Sequence, residues 1–459
     1  VSEAYLDFLA AKAPAPTMRG LSDVPALNPQ LALHQRHCAE FALRAGGSGC
    51  YLDTGLGKTL VEHEFCAHGA EATNGYGLIL SPLAVAGQIA REAARFGYNA
   101  RVIRDQSEAR PGTNICNYDR LDKLDPRAFG AVALDEASIL KNFTGATTRK
   151  LIRAFSETRF RLAATATPAP NDHMELGQQA EFLGIMPSNE MLMRWFISDQ
   201  TEMGRYRLKH HAVQSFWDWM AGWARMGERP SDLGGDDTGF DLPPLNIHRH
   251  RTGAFVKPVT GALFETDQLS ATDMHRVKRQ TAESRAKIAA DLAGSDREPW
   301  VIWVDTDYEA DAVLAALPEA VEVRGSHPVE WKERRIEAFL DGSARVLLTK
   351  PSVCGWGLNL QHCAHTAFVG RSFSYEAWYQ AVRRFWRYGQ QRPVHAHLIV
   401  AEGEDAIGRV IDRKATDHIG MKAAMREAMA RAMGRTAGVK VPYDPRHIAQ
   451  IPRWLRSAA

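Results

Sequence analysis

No CxxC pair occurs among the cysteines, which are scattered at Cys38, Cys50, Cys66, Cys116, Cys354 and Cys363. That excludes a zinc ribbon and a disulfide framework, and it fits a reduced compartment. His362, Cys363 and His365 stand close together without a second cluster, so no metal site is expected there. No apolar run reaches the ~18 residues a membrane span requires. The first residues lack the shape of a signal peptide, so the expectation is a cytoplasmic protein. A strong charge of one sign is also missing. The 56 Lys and Arg residues against 54 Asp and Glu leave a net charge of +2, so any nucleic-acid footprint must be local. What is present is an ordinary globular composition, 45% hydrophobic and 24% charged, over 459 residues. That length implies two or three domains.

Residues 1–30 are rich in Ala and Pro and suggest a loosely held arm. From residue 31 helical patterns alternate with short apolar strands. LALHQRHCAEFALRAG is a helix, GCYLDT a strand, KTLVEHEFCAHGA a helix, and GYGLILSP, AVALDEAS and RFRLAATATP are further strand ends. This rhythm means a parallel sheet covered on both faces. Residues 185–245 differ. They hold Trp195, Trp217, Trp219 and Trp223, show no clear strand and end in GGDDTGFDLPPL, which suggests a helical insertion. The α/β rhythm returns over 246–402 (PWVIWVDT, RVLLTKP, HTAFVGRS, VHAHLIVAE). The tail, 403–459, is helical and basic. The expected class is α/β, with two parallel-sheet domains at 31–184 and 246–402, the helical insertion between them, and a helical C-terminal tail packing back across both.

YLDTGLGKTL at 51–60 looks like a phosphate cradle but carries Leu52 where GxxxxGK(S/T) has its first glycine. A strand before such a loop and a helix after it aim backbone N–H groups and the positive helix end at an anion. GCYLDT and KTLVEHEF supply that order. Gly55 and Gly57 permit tight turns, Lys58 would reach the β- and γ-phosphates, and Thr59 would bind magnesium. The competing reading is a structural glycine turn. AVALDEAS then places Asp135 and Glu136 at the C-terminal end of an apolar strand, the edge where parallel sheets hold ligands. One acid can hold magnesium through water while its neighbour activates the attacking water. Two capped, solvated acids are the plainer alternative, but the pairing with GLGKT in this order favours a site.

The series of motifs resembles the superfamily 2 helicases and translocases, particularly the Swi/Snf-like branch and its phage relatives, over roughly residues 31–402. LALHQ resembles the motif in which Gln35 would read the adenine edge. LILSPLAV and ICNYDRL resemble nucleic-acid-contacting motifs, at Ser81, Pro82, Asn117 and Tyr118. LDEASILKN resembles the acidic motif with its trailing Lys141 and Asn142. ATATPAPND resembles the coupling motif, at Thr165, Ala166 and Thr167. CGWGLNL matches G-x-G-x-N-L at Gly355, Gly357 and Asn359, and QAVRRFWRYGQ matches Q-A-x-x-R-x-x-R-x-G-Q at Gln380, Arg384 and Arg387. The resemblance implies two RecA-like lobes with ATP and Mg2+ in the cleft. Gln35, Gly357 and Gln380 would face the nucleotide, and Asn359 the nucleic acid. Arg384 and Arg387, three apart and so on one helix face, would come from the second lobe to stabilise charge on the γ-phosphoryl group. Ser138 departs from the usual His of the acidic motif, so coupling would use another contact. Trp386 replaces a usual His.

The resemblance implies movement along nucleic acid, with DNA, duplex or single-stranded, as the expected track. Strand separation needs a wedge, which is not recognisable here; the motifs lean toward duplex translocation. An ATP-gated clamp with slow hydrolysis is the rival, and a motor subunit of a replication, recombination or restriction assembly a third reading. A phage or prophage origin in a bacterial cytoplasm is the expected setting. Candidate backbone contacts are RYRLKHH (205–211), HRHR (248–251) and the basic tail, where residues 421–458 carry eight Lys or Arg against two acidic residues. Each could equally be a solvated charged face. The four tryptophans are expected to form a small core rather than stacking platforms.

Overall fold

Strands that are apolar along their whole length must be covered on both faces. In the computed structural model, which describes residues 18–82, 85–142, 145–170, 172–198, 206–252, 271–355, 358–370, 372, 374–401 and 405–436, two such sheets form. The first is built from β1 (Gly47–Leu52), β2 (Tyr76–Ser81), β3 (Ala100–Val102), β4 (Gly112–Asn117), β5 (Ala131–Asp135) and β6 (Phe160–Ala164). These six strands pair in the order β3-β4-β2-β5-β6-β1, all parallel. Asp135 pairs with Ala164 and Cys50 with Ala164 in register, so the chain leaves β1, β5 and β6 at one common edge.

The segment between the sheets differs from the strandless expectation. It holds a short antiparallel hairpin, β7 (Phe196–Ser198) with β8 (Tyr206–Leu208), and a strand β9 (Ala224–Gly227) that joins the first sheet beside β1. Four residues, ARMG, give no alternation to read, and β1 as an edge supplies the hydrogen bonds that make them a strand. The tryptophans are core, as expected: Trp195, Trp217, Trp219 and Trp223 are all buried, with Trp195 stacked on Trp219 at 4.7 Å. Trp217 and Trp219 point to different sides of helix Val213–Ala221, and both are covered.

The second sheet uses β10 (Leu245–Arg251), β11 (Trp300–Trp303), β12 (Val321–Val323), β13 (Val346–Thr349), β14 (His365–Phe368) and β15 (Val394–Val400). Its order is β10-β15-β14-β11-β13-β12, again parallel throughout. The helix Asp405–Thr436 follows, 32 residues long and so about 48 Å. Its Ile411 packs on Tyr375 of the second lobe, while Met421, Met425, Ala428 and Met429 enter the core of the first.

Two of the proposed basic contact segments are used internally. Along the helix, Lys422 and Arg426 pair with Glu228, and Arg431 with Asp218. HRHR splits by strand alternation. His248 and His250 lie on one face of β10, hydrogen-bonded ring to ring with His395 at 3.0 Å and His397 at 2.9 Å, and His365 stacks on His395. Arg249 turns the other way toward Asp412 at 3.7 Å. In RYRLKHH, Lys209 is bound to the carbonyls of Met193 and Arg194, whereas Arg207, His210 and His211 are exposed; Arg205 lies outside the described residues, as do 437–459 of the tail.

A buried ion pair anchors the second lobe. Arg285 and Glu309, both fully enclosed, meet at 3.0 Å. The Glu309 carboxylate also accepts the backbone N–H groups of Asp305 and Thr306. Arg285→Met strands that carboxylate and is expected to cost about 3–5 kcal/mol in urea denaturation, much of it recovered by adding Glu309→Leu. The imidazole array makes a pH prediction. Burial, then the neighbouring rings, hold His397 down to about 3 and lower His395 and His250. Unfolded histidine binds a proton near pH 6.5, so the unfolded chain gains protons first as pH falls. Stability is therefore lost progressively from about pH 6.5 toward 3. His397→Gln is expected to flatten the melting-temperature profile in that window.

Candidate functional site

The edge where β1, β5 and β6 end gathers the residues that the sequence singles out. The loop after β1 turns at Gly55 and Gly57, both in the left-handed region at φ 94° and 77°. Helix Lys58–Glu71 begins at once. Lys58 folds back, its ammonium donating to the carbonyl of Leu52 at 2.9 Å. Leu52 thus serves the loop through its backbone carbonyl, while its side chain is buried in the core of the first lobe. Gln35 lies against the loop with its amide already engaged: Nε2 donates to Leu56 O at 3.1 Å and Oε1 accepts from Ala32 N at 3.0 Å. In this arrangement Gln35 buttresses the loop, and an adenine edge would have to compete for the same atoms.

The acids follow β5. Glu136 sits at φ 58°, the one non-glycine residue in the left-handed region among the described residues, a strained backbone of the kind that collects at functional sites. Burial, then the charge of Glu136, raises Asp135 to about 7, opposed by Lys58 and Arg384. Glu62, one helical turn beyond Lys58, is wholly buried with both carboxyl oxygens unpartnered, and burial beside Asp135 drives it well up.

A ring of polar contacts then crosses from one lobe to the other. Thr165 Oγ1 donates to Glu136 Oε2 at 3.1 Å and accepts from Thr167 N at 3.1 Å. Gln380 Nε2 donates to Thr167 Oγ1 at 3.2 Å. Arg384 Nη2 donates to Gln380 Oε1 at 2.6 Å and stands 3.9 Å from Glu136 Oε1. Gln380 lies on helix Tyr375–Val382, and Arg384 follows its C-terminal end. Arg387 stands nearby, its Nε buried without a partner and its pKa lowered to about 10 by burial and by Arg384. The acidic motif reaches the same helix separately, since Lys141 pairs with the buried Glu376. With Ser138 in place of His, this is a further route between the lobes.

Four residues that sequence reasoning missed meet at the start of the loop. Asp53 accepts the Tyr379 hydroxyl at 2.8 Å and lies 3.1 Å from Arg383 Nη2 and 3.5 Å from Lys422 Nζ. Arg383, first of the RR pair in QAVRRFWRYGQ, was a visible signal passed over for its neighbour Arg384. Nothing local marks Asp53 or Lys422.

The residues assigned to nucleic acid are more dispersed. Tyr118 donates its hydroxyl to the Asp135 carbonyl at 2.8 Å and so braces the acid. Ser81 is fully buried with an unpartnered hydroxyl, so its side chain is closed to a phosphate here. Pro82 and Asn117 are half-buried; Asn359 is exposed and caps the N–H of Gln361. Gly357 lies outside the described residues.

The cradle and its donors fit a magnesium nucleotide. A Cβ at Gly57 would stand 2.2 Å from Gln35 Nε2 and one at Gly55 3.1 Å from the Tyr388 ring, so both neighbours close on the loop because the glycines have no side chain. Thr59 hydroxyl and Asp135 carboxylate are hard oxygen donors, and Mg2+ commonly takes one or two of these and completes its shell from phosphates and water. The unpartnered Arg387 Nε is suited to an anion.

No family model matches the chain. It is 23% identical over 385 residues to the putative protein p41 of Acyrthosiphon pisum secondary endosymbiont phage 1, a match covering 69% of this chain and 77% of that protein. Among solved structures it is similar to the Sulfolobus solfataricus SWI2/SNF2 ATPase core in complex with dsDNA, with 15% identity, 90% of this chain and 98% of that chain covered, and a TM-score of 0.40. The two α/β lobes of parallel sheet rest on the strand pairing itself.

Gly57→Ala is expected to lower the melting temperature more than Gly75→Ala. Both put a side chain at positive φ, at about 1–2 kcal/mol, but only at Gly57 does the new Cβ meet a neighbour, with nothing within 4 Å of it at Gly75.

Proposed function

We propose that the chain is an ATP-driven motor on DNA, hydrolysing ATP between its lobes and moving along the duplex as they open and close. The observation that carries this reading is the contact ring from Glu136 through Thr165, Thr167 and Gln380 to Arg384. It joins the proposed base in one lobe to the proposed arginine of the other. Loop N–H groups and the first turn of Lys58–Glu71 cradle the phosphates, and Lys58 leaves the Leu52 carbonyl for the β- and γ-phosphates. Thr59 and Asp135 would hold a magnesium ion, which would offset phosphate charge. Glu136 orients water and takes its proton as oxygen attacks the γ-phosphorus and the bond to the β–γ bridging oxygen breaks. Arg384 and Arg387 stabilise the charge that develops, which ties hydrolysis to closure. Contact with the track is to phosphates, so binding should weaken steeply with salt and depend little on sequence.

The test is the steady-state ATPase rate alone and with single-stranded DNA, duplex DNA or RNA, with Lys58→Ala as blank. Duplex DNA is expected to stimulate most. Stimulation by single strands instead would move the output to unwinding, and no Lys58-dependent stimulation by any of them would sink the motor. Glu136→Gln is expected to lower kcat by about 100-fold or more. Arg387→Ala should leave nucleotide affinity in place and lower kcat about 1,000-fold.

A further inference from the structure

The loop and the arginines belong to different lobes, and something must set the distance between them. Three distant stretches of chain meet at Asp53 to do so. The Asp53 carboxylate accepts Thr54 N–H at 2.7 Å and the Tyr379 hydroxyl at 2.8 Å, and pairs with Arg383 at 3.1 Å. Arg383 also donates to Thr54 O at 3.2 Å, so it grips the first turn of the loop by side chain and backbone together. From the C-terminal helix, Lys422 closes the cluster: 3.5 Å from Asp53, 3.3 Å from the Tyr379 hydroxyl and 3.4 Å from Glu228, which in turn holds Arg426 at 3.1 Å. Arg383, Lys422 and Asp53 are 1%, 5% and 7% exposed. The pairs are therefore shielded from solvent and from salt, and their geometry is rigid where a surface pair's is not.

We propose that Lys422 and Asp53 are positioning residues for hydrolysis, fixing through Arg383 the placement of Arg384 and Arg387 over the phosphate loop. This rests on the reading of the site as an ATPase. Arg383 is bonded to Arg384 by one peptide link, so what pins the first orients the second. Lys422 takes Asp53 Oδ2 where Arg383 takes Oδ1, and Tyr379 lies on the helix Tyr375–Val382 that runs directly into the arginines. Asp53, Glu228 and Asp232 balance Arg383, Lys422 and Arg426 in charge. Without Lys422 the cluster carries one negative charge too many, Asp53 Oδ2 loses its cation, and the carboxylate can turn away from Arg383. Lys422 reaches the loop through the Asp53 side chain and not through Lys58 or Thr59, so its effect should fall on the step in which the arginines act rather than on nucleotide binding.

The experiment uses the full chain. For Lys422→Met, Lys422→Arg, Asp53→Asn and the Asp53→Asn/Lys422→Met pair, it measures the dissociation constant of a fluorescent ATP analogue, DNA-stimulated kcat and melting temperature. Lys422→Met is expected to lower kcat about tenfold or more with nucleotide affinity within about threefold. Lys422→Arg, which keeps the charge, should recover most of the rate, and the double variant should be no slower than Asp53→Asn alone, because the two act as one unit. Wild-type kcat in Lys422→Met overturns the proposal. So does a joint loss of affinity, rate and melting temperature that Lys422→Arg does not repair, since that describes a merely structural contact. Failure of the underlying ATPase reading is seen separately, in wild-type protein that neither binds the analogue nor turns over ATP in a Lys58-dependent way.

Discussion

A carboxylate taken out of water must find cations or give up its charge. Asp53 stays ionised: burial works against it, but Arg383 and Lys422, with the Thr54 N–H and the Tyr379 hydroxyl, hold its pKa below the usual carboxylate range. Of these, Arg383 and Tyr379 come from the second lobe and Lys422 from the C-terminal helix. The assembled chain makes Asp53 the point where three elements meet. The ring through Glu136 and Arg384 lies beside it and uses the same helix, Tyr375–Val382, and the residues that follow. Tyr388, a few positions on, completes the join by packing into the first core and against Gly55.

Much of this was legible in the sequence because it is local. A strand, a glycine turn and a helix in succession are visible in GCYLDTGLGKTLVEHEF. Asp135 and Glu136 are visible because an apolar run stops at two acids, and Arg384 and Arg387 because they stand three apart after GWGLNL. Both parallel sheets follow from apolar runs spaced by helices. What was not legible depends on contacts between residues hundreds of positions apart, such as Asp53 with Tyr379 and Lys422. β9 was missed because its pairing with β1, not its own four residues, makes it a strand. For Gln35, Tyr118 and Ser81, only coordinates could show that their polar atoms face the protein or are shut away from solvent.

Charge patterns misled more than apolar ones did. HRHR and the described part of the tail look like surfaces for phosphate, but alternation along β10 turns the histidines into a ladder of paired rings, and the C-terminal helix directs Lys422, Arg426 and Arg431 onto acids of the first lobe. A net charge of +2 conceals this internal matching. The exposed Arg207, His210 and His211 keep the other possibility open for the hairpin region.

The long C-terminal helix has a consequence for how the molecule is made. Met421, Met425, Ala428 and Met429 belong to the same core as β1 and β6, and β9 arrives only after the sixth strand. During synthesis the first lobe therefore emerges early but cannot complete its core until nearly the last described residue has left the ribosome. Chains rich in such distant parallel pairings fold slowly and expose apolar surface while they wait. The helix that closes the core is also the one that brings Lys422 to Asp53, so a nascent chain acquires its finished phosphate loop at the same moment as its finished core.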